Sequence, residues 1–416
     1  MRYTETHTLY ASYLGYITQA IINNLPPLLF VTFHDCFGIP LEQISLLITM
    51  NFIIQIVVDL FSIRYADRIG YRLCVVFAHI FSALGLILLG TLPFLIDPFA
   101  GIAIAMAINA IGGGMTEVLI SPIVESLPGE QKAAAMSLLH SFYCWGHMAV
   151  VILSAVYFSV IGIEHWRYLP FLWAVIPVFN TWFFTRVPLY VLVEESEKVP
   201  LKKLFSSKIF WILMFIMLFA GASEQAMGQW SSYFAEKGLG VSKTLGDLFG
   251  PCTFAMMMGF SRSFYAKQSS RIKVQHYILF SAALSVCAYL LTVFAPHPIL
   301  SLIGCAVCGY SVGILWPGVY SLSAQTYPTG GTALFAMLAL SGDIGCGAGA
   351  GMVGVIANAA QNGFHAIRSL FAANTEVEMK IGLLFAALFP VGVLLGLFFL
   401  WQASKKPKDT LQNYQN

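Results

Sequence analysis

The sequence predicts an all-α polytopic membrane protein, with twelve transmembrane helices in two six-helix pseudo-symmetric bundles. Three observations lead there. The 416 residues are 58% hydrophobic and only 10% charged, with mean hydropathy +0.76, whereas soluble chains carry about 25% charged residues. The apolar residues fall into runs of the length that a ~30 Å hydrocarbon core requires, about 20 residues per helix. The two halves of the chain also repeat each other's landmarks.

Taken in order, the runs are 8–33, 42–64, 73–95, 99–126, 133–160, 167–187, 208–235, 241–265, 273–295, 298–325, 331–358 and 379–402. Short alternating segments, the mark of a membrane β-barrel, are not found. The first seven residues are polar and lead straight into the first run, so no removable signal peptide is expected. The longest charged connection, 186–208, contains Glu194, Glu195, Glu197, Lys198, Lys202 and Lys203. It sets the expected boundaries: an N-terminal bundle 1–187, a linker 188–207 and a C-terminal bundle 208–416.

The net charge of +2 is uninformative, but its distribution is not. Of the 22 Lys and Arg, all but Arg167, Lys237, Lys243, Arg368 and Lys380 fall on the side of the even-numbered loops, Arg262 counted among them. The positive-inside bias places both termini in the cytoplasm, with the chain in the plasma membrane. On this assignment no Lys or Arg remains at the bilayer centre, and the charge there is acidic. Of the eight cysteines, Cys305 and Cys308 form a CxxC spacing inside an apolar run without a second pair, which reads as core packing. No metal site, cofactor, phosphate loop or nucleic-acid patch is expected.

Sliding the sequence by about 200 residues aligns Tyr65-Ala66 with Tyr265-Ala266, Gly113 with Gly313, Ser121 with Ser321, Pro128 with Pro328 and Ser141 with Ser341. Parallel six-helix repeats with a solute site between them at mid-membrane describe the major facilitator architecture. After the second run, Asp67-Arg68-Ile69-Gly70-Tyr71-Arg72 resembles that superfamily's loop signature, with Ile63 at its first glycine position and Tyr71 at a basic one. The resemblance makes Asp67, Arg68, Gly70 and Arg72 a cytoplasmic gate motif; a plain positive-inside loop is the other reading.

Glu117 follows Gly112-Gly113-Gly114-Met115-Thr116 inside the fourth run. A carboxylate at that depth is costly, by analogy with Asp about 2.5–3.5 kcal/mol on insertion scales, and is a functional candidate by default. The glycines open the helix surface to a solute or to another helix. The stretch from these glycines through Pro122 and Pro128-Gly129-Glu130 to Leu139-His140-Ser141-Phe142 resembles the fucose–proton symporter family. Asn23-Asn24-Leu25, Trp316-Pro317 and Ser321-Leu322 are similar as well. That resemblance implies that Glu117 occupies the family's proton-linked position. The acid that the family carries in its first helix falls on Pro27 here.

Glu117, Glu224 and Asp343 lie near the midplane of their runs, and in this superfamily helices 1, 4, 7 and 10, with 5, 8 and 11, face the pathway. All three acids are therefore expected in one cavity as proton-coupling groups. Burial without a cation penalises the charged form of an acid, and a permanently paired one is less suited to carry a proton. Structural hydrogen bonding is the competing role: for Glu224 with Ser223, Gln225 and Gln229, and for Asp343 in the small-residue face Ser341-Gly342-Asp343-Ile344-Gly345-Cys346-Gly347. Asp59 and Glu125 are expected to join the gate. His140 and His147 share a helix face with Tyr143 and Cys144 between them, as proton relays or packing groups. Asn24, Tyr143, His147, Gln225, Trp316 and Tyr320 are the expected solute-binding residues, with Trp145 and Trp230 as further aromatic surfaces.

The reading is an alternating-access secondary transporter, a proton-coupled importer of a neutral sugar-like solute. Proton-driven efflux of an amphipathic or cationic compound is the alternative, and a non-transporting sensor ranks below it. Without a clustered nucleophile or metal set, no enzyme is expected. The expected partners are a small-molecule solute, protons and the lipid bilayer, with no nucleic acid, and the chain is expected to be a monomer.

Overall fold

The computed structural model describes residues 3–39, 41–129, 132–190, 201–235, 239–241, 245–246, 248–360, 367 and 377–405. The Glu194–Lys198 charges of the linker, Glu130 and several counted basic residues, among them Arg2, Lys237 and Arg368, lie outside them. All regular structure among the described residues is helical: α1 Glu5–Phe37, α2 Leu41–Ile69, α3 Tyr71–Leu89, α4 Pro98–Ser126, α5 Lys132–Ile161, α6 Leu169–Phe184, α7 Leu201–Ser206, α8 Lys208–Tyr233, α9 Thr253–Gln268, α10 Val274–Phe294, α11 Pro298–Val312, α12 Leu315–Thr326, α13 Gly331–Ala360, α14 Val377–Ala386 and α15 Leu388–Lys405. Among the described residues, eight helical stretches, beginning at Tyr71, Pro98, Lys132, Lys208, Val274, Pro298, Ala333 and Val377, are long and apolar enough to cross a membrane. The other expected spans correspond to α1, α2, α6 and α9; α6 and α9 have 16 residues each.

Helix ends follow local chemistry. Asp97 accepts the Ala100 N–H at 2.9 Å ahead of Pro98, starting α4, as expected of an acidic N-cap with proline in the first turn. Gly70 joins α2 to α3 at φ +96°, a conformation open to glycine and strained for other residues. The tenth apolar run divides into α11 and α12 at Gly313–Ile314. Pro317 lacks the N–H that would have bonded the Gly313 carbonyl four residues back, and Arg262 Nε donates to that carbonyl instead at 2.6 Å.

Polarity is inverted relative to a soluble protein. Val160, Leu95 and Val355 are exposed, whereas Ser12, Thr18, Gln19, Asn109 and Asn180 are buried. Hydroxyls in the interior return to their own helix: Ser12 Oγ to the Thr8 carbonyl, Thr116 Oγ1 to Gly112 and Ser82 Oγ to Ala78, at 2.7–2.8 Å. In lipid no water would satisfy them otherwise. The chain is a multi-pass membrane protein.

In the first half α1 packs on α4, α5 and α6, and α3 on α4 and α6; in the second, α8 packs on α13 and α15, and α9 on α11. Between the halves, α5 meets α9 and α12, while α13 meets α2 and α4. The α2–α3 turn, the chain start and the α12–α13 turn share one face. Arg72 bonds Val187, Tyr190 bonds Glu5, and Tyr327 bonds Ser207. We call this the linker face.

The glycines before Glu117 serve helix approach. A Cβ on Gly112 would lie 2.6 Å from Ser82 N, one on Gly114 would lie 3.2 Å from Val58, and Gly113 faces Ile22. Gly345 of α13 abuts the Leu218 carbonyl of α8, so a side chain there would collide with backbone. Gly345→Val is expected to destabilise the fold by about 1–3 kcal/mol. Gly351→Val, in open space, is expected to match the wild type. Thermal unfolding of purified protein in detergent compares them.

Candidate functional site

A cavity of about 60 Å³ lies between the halves, walled by α1, α2, α4, α5, α8, α9, α12 and α13. Small-ligand pockets run to about 300–1,000 Å³, so a sugar-sized solute needs the halves to move apart. Glu117 is buried in its wall, and Oε2 accepts Gln19 Nε2 at 2.5 Å. Asp343 and Glu224 act on Glu117 with like charge. All three expected acids thus line this cavity.

Arg262 corrects the expectation of a cation-free interior. In the sequence the eighth run ends at residue 265, which puts Arg262 at its loop end, but α9 continues to Gln268. Its side chain turns inward and is 2% exposed. Nη2 pairs with Glu224 Oε2 at 3.1 Å, and Nη1 donates to the His140 carbonyl at 2.9 Å and to Cys144 Sγ at 3.0 Å. Ser137 Oγ returns a bond to the Arg262 carbonyl at 2.6 Å. One guanidinium therefore ties α5 of the first half to α8, α9 and the α11–α12 break of the second. Glu224 is not an unpaired acid.

A second correction concerns Asp59, expected at the gate with the basic loop. It is 0% exposed and sits beside Asp343, within reach of the charge of Glu117. Gly114 permits this approach, since it lets α2 lie against α4 at Gln55 and Val58. Glu125 instead neighbours Lys132 across the α4–α5 turn, where the lysine Nζ donates to the Glu125 carbonyl at 2.5 Å.

Of the expected solute-binding residues, Tyr143, Gln225 and Trp316 line the cavity, while Asn24, His147 and Tyr320 do not. Asn24 Nδ2 donates to the Tyr143 hydroxyl at 3.3 Å and so orients it from behind. His147 lies edge-on to Tyr143 at 6.5 Å. Tyr320 is fully buried between His140 and Phe335. Trp230 donates to the Ala350 carbonyl, and Trp145 stacks edge-on with Phe260; both are packing roles. His140 does line the cavity, in a cluster with Tyr16 and Ser121: Tyr16 Oη lies 2.8 Å from Ser121 Oγ and 3.1 Å from His140 Nε2.

Sequence reasoning missed Tyr16, Gln19, Asn23, Phe52 and Gln55 in this wall. Tyr16, Gln19 and Asn23 are spaced three and four apart, one polar helix stripe, and Gln55 stands four before Asp59. Within the loop motif, Gly70 makes the turn and Arg72 caps α6. Its Nη1 and Nη2 donate to the Phe184 and Val187 carbonyls at 2.7 and 2.9 Å, satisfying helix-end acceptors. Arg68 is exposed, and the Asp67 side chain lies outside the described residues. The expected gate is thus, for Arg72, a brace within the first half. Cys305 and Cys308 are buried free thiols, Cys305 against Met227 Sδ at 3.6 Å.

Among the described residues, no group of three or more His, Cys, Asp or Glu side chains could hold a metal ion. A larger hollow of about 330 Å³ between α10, α14 and α15 is lined by apolar side chains. Two of them, Leu290 and Leu388, are exposed. With no polar group to orient a solute, it reads as a lipid-facing groove.

The sequence profile of the Major Facilitator Superfamily matches residues 11–350. The chain belongs to the major facilitator superfamily. Solved structures of superfamily transporters share its fold. The E. coli fucose:proton symporter FucP matches with TM-score 0.72 at 15% identity, covering 94% of this chain and 98% of that one. The proton:xylose symporter XylE matches with TM-score 0.71 at 13% identity, covering 95% and 94%. The human organic anion transporter MFSD10 matches with TM-score 0.68 at 14% identity, covering 95% and 99%. Among curated protein sequences none matches. This major facilitator transporter thus carries its buried acids in the wall where its two halves meet.

Proposed function

We propose that the chain is a proton-coupled importer of a neutral, sugar-like solute, working by alternating access between bundles 1–187 and 208–416. The observation that carries this reading is Glu117. It is a buried carboxyl in the cavity wall, hydrogen-bonded by Gln19 and neighboured by acids rather than by a cation. Such a group can take up a proton on one side and give it up on the other as the halves rock. The solute would be oriented by Gln19, Asn23, Gln55 and Gln225, whose amides donate and accept, with Tyr143 and Trp316 offering ring faces to an apolar sugar face. Arg262, held by Glu224, speaks against a cationic cargo, and we assign the pair to holding the halves in register. The FucP and XylE likenesses support the same solute class. We place the linker face and both termini in the cytoplasm, with the protein in the plasma membrane.

A panel of radiolabelled neutral sugars, organic cations and organic anions in proteoliposomes tests this. Counterflow exchange of one neutral sugar, with net uptake that increases as the outside is acidified, is expected. Exchange of cations alone would contradict the reading.

A further inference from the structure

α2 and α13 meet across the halves at the cavity wall. Asp59 lies ten residues, about 15 Å, from the end of α2 at that face, and Asp343 twelve residues, about 18 Å, from the start of α13. The two carboxyls lie side by side, Asp59 0% and Asp343 3% exposed. Neither Asp59 oxygen, nor Asp343 Oδ2, finds a hydrogen-bond donor among the described residues. One helical turn before Asp59, Gln55 lines the cavity with its buried Nε2 likewise unpartnered. Two adjoining carboxylates in a dry interior cannot both be ionised. A single proton between them neutralises half the charge and supplies the missing O–H···O bond, and charge-assisted bonds of this kind are the strong ones.

We propose that Asp59 and Asp343 share one proton, and that this bridge latches α2 to α13 and keeps the linker face closed. The inference rests on the alternating-access reading and adds a second protonation site to it. From α4 the pair is faced by Glu117, and from α12 by Tyr320, whose buried hydroxyl has no partner among the described residues. Cys346 follows Asp343 on α13 itself, and on α8 Glu224 is answered by Arg262. The charge that can vary beside the pair is therefore that of Glu117. Departure of the shared proton leaves two carboxylates side by side in the dry interior, and their repulsion opens the face.

The test places spin labels on exposed Ile69 and Thr326, with the exposed thiols Cys36 and Cys287 replaced by serine, in lipid nanodiscs. In the otherwise wild-type chain, a longer distance is expected to gain population as pH rises. Asp59→Asn and Asp343→Asn, whose amides keep a permanent donor, are expected to remain at the short distance at every pH. Opening of both variants with the wild-type pH response overturns the latch, as does a wild-type distribution indifferent to pH. If an amide variant does not fold, Asp59→Glu is read instead: a displaced midpoint supports the latch, an unchanged one overturns it. Counterflow on the same preparations separates the two ideas. Exchange without pH-dependent opening sinks the latch alone, whereas no exchange of any solute sinks the transport reading.

Discussion

Glu117→Gln is expected to abolish proton-driven accumulation while leaving solute counterflow measurable. The substitution keeps the side-chain volume and a hydrogen-bond partner for Gln19, whose Nε2 donates to Glu117 Oε2. Packing and solute binding should therefore survive. An amide cannot carry a proton, and a carrier with no energy source can only equilibrate its solute. The accumulation ratio in vesicles with an imposed proton gradient should fall to about 1. A variant that still concentrates solute would move the coupling to Asp343 and Asp59.

Arg262→Met should have the largest effect on stability. It strands the buried Glu224 carboxyl and leaves the Gly313 carbonyl without its donor, whereas the His140 carbonyl still accepts from Cys144 Sγ at 3.7 Å. Breaking a buried ion pair from one side costs about 3–5 kcal/mol, and each buried acceptor left unmade adds about 1–3 kcal/mol. Arg262→Met combined with Glu224→Gln should recover part of the loss, because the stranded charge is gone but the Gly313 carbonyl remains without a donor. Arg262→Lys should rescue poorly, since an ammonium cannot fork toward acceptors on three elements. Thermal unfolding in detergent ranks the variants. Equal stability of Arg262→Met and the wild type would show that this guanidinium does not clamp the interior.

Much of the architecture was legible because lipid imposes long apolar runs, and the run edges fall within a few residues of the helix ends in most cases. Glu117 was legible for the same reason: a carboxylate in such a run stands out. Arg262 was misread because a basic residue near the end of an apolar run looks like a loop residue. Only the continuation of α9 to Gln268 and the partner on α8 reveal its inward turn. Asp59 was misplaced because its burial is decided by α13, in the other half of the chain. Choosing Asn24 over Asn23 turned on one residue, and neighbours on a helix point about 100° apart. The 200-residue correspondence located positions but not chemistry. The Gly313 carbonyl binds Arg262 while Gly113 faces Ile22. Ser121 joins the Tyr16–His140 cluster, whereas Ser321 bonds the Pro317 carbonyl of its own helix.

Proton movement itself tests the central claim most directly. Proteoliposomes in weakly buffered medium would be given a solute that exchanges, and the external pH followed. Alkalinisation on solute addition, present in the wild type and absent in Glu117→Gln, is the predicted result. Solute entry with no pH change, or with the same change in Glu117→Gln, would contradict the account.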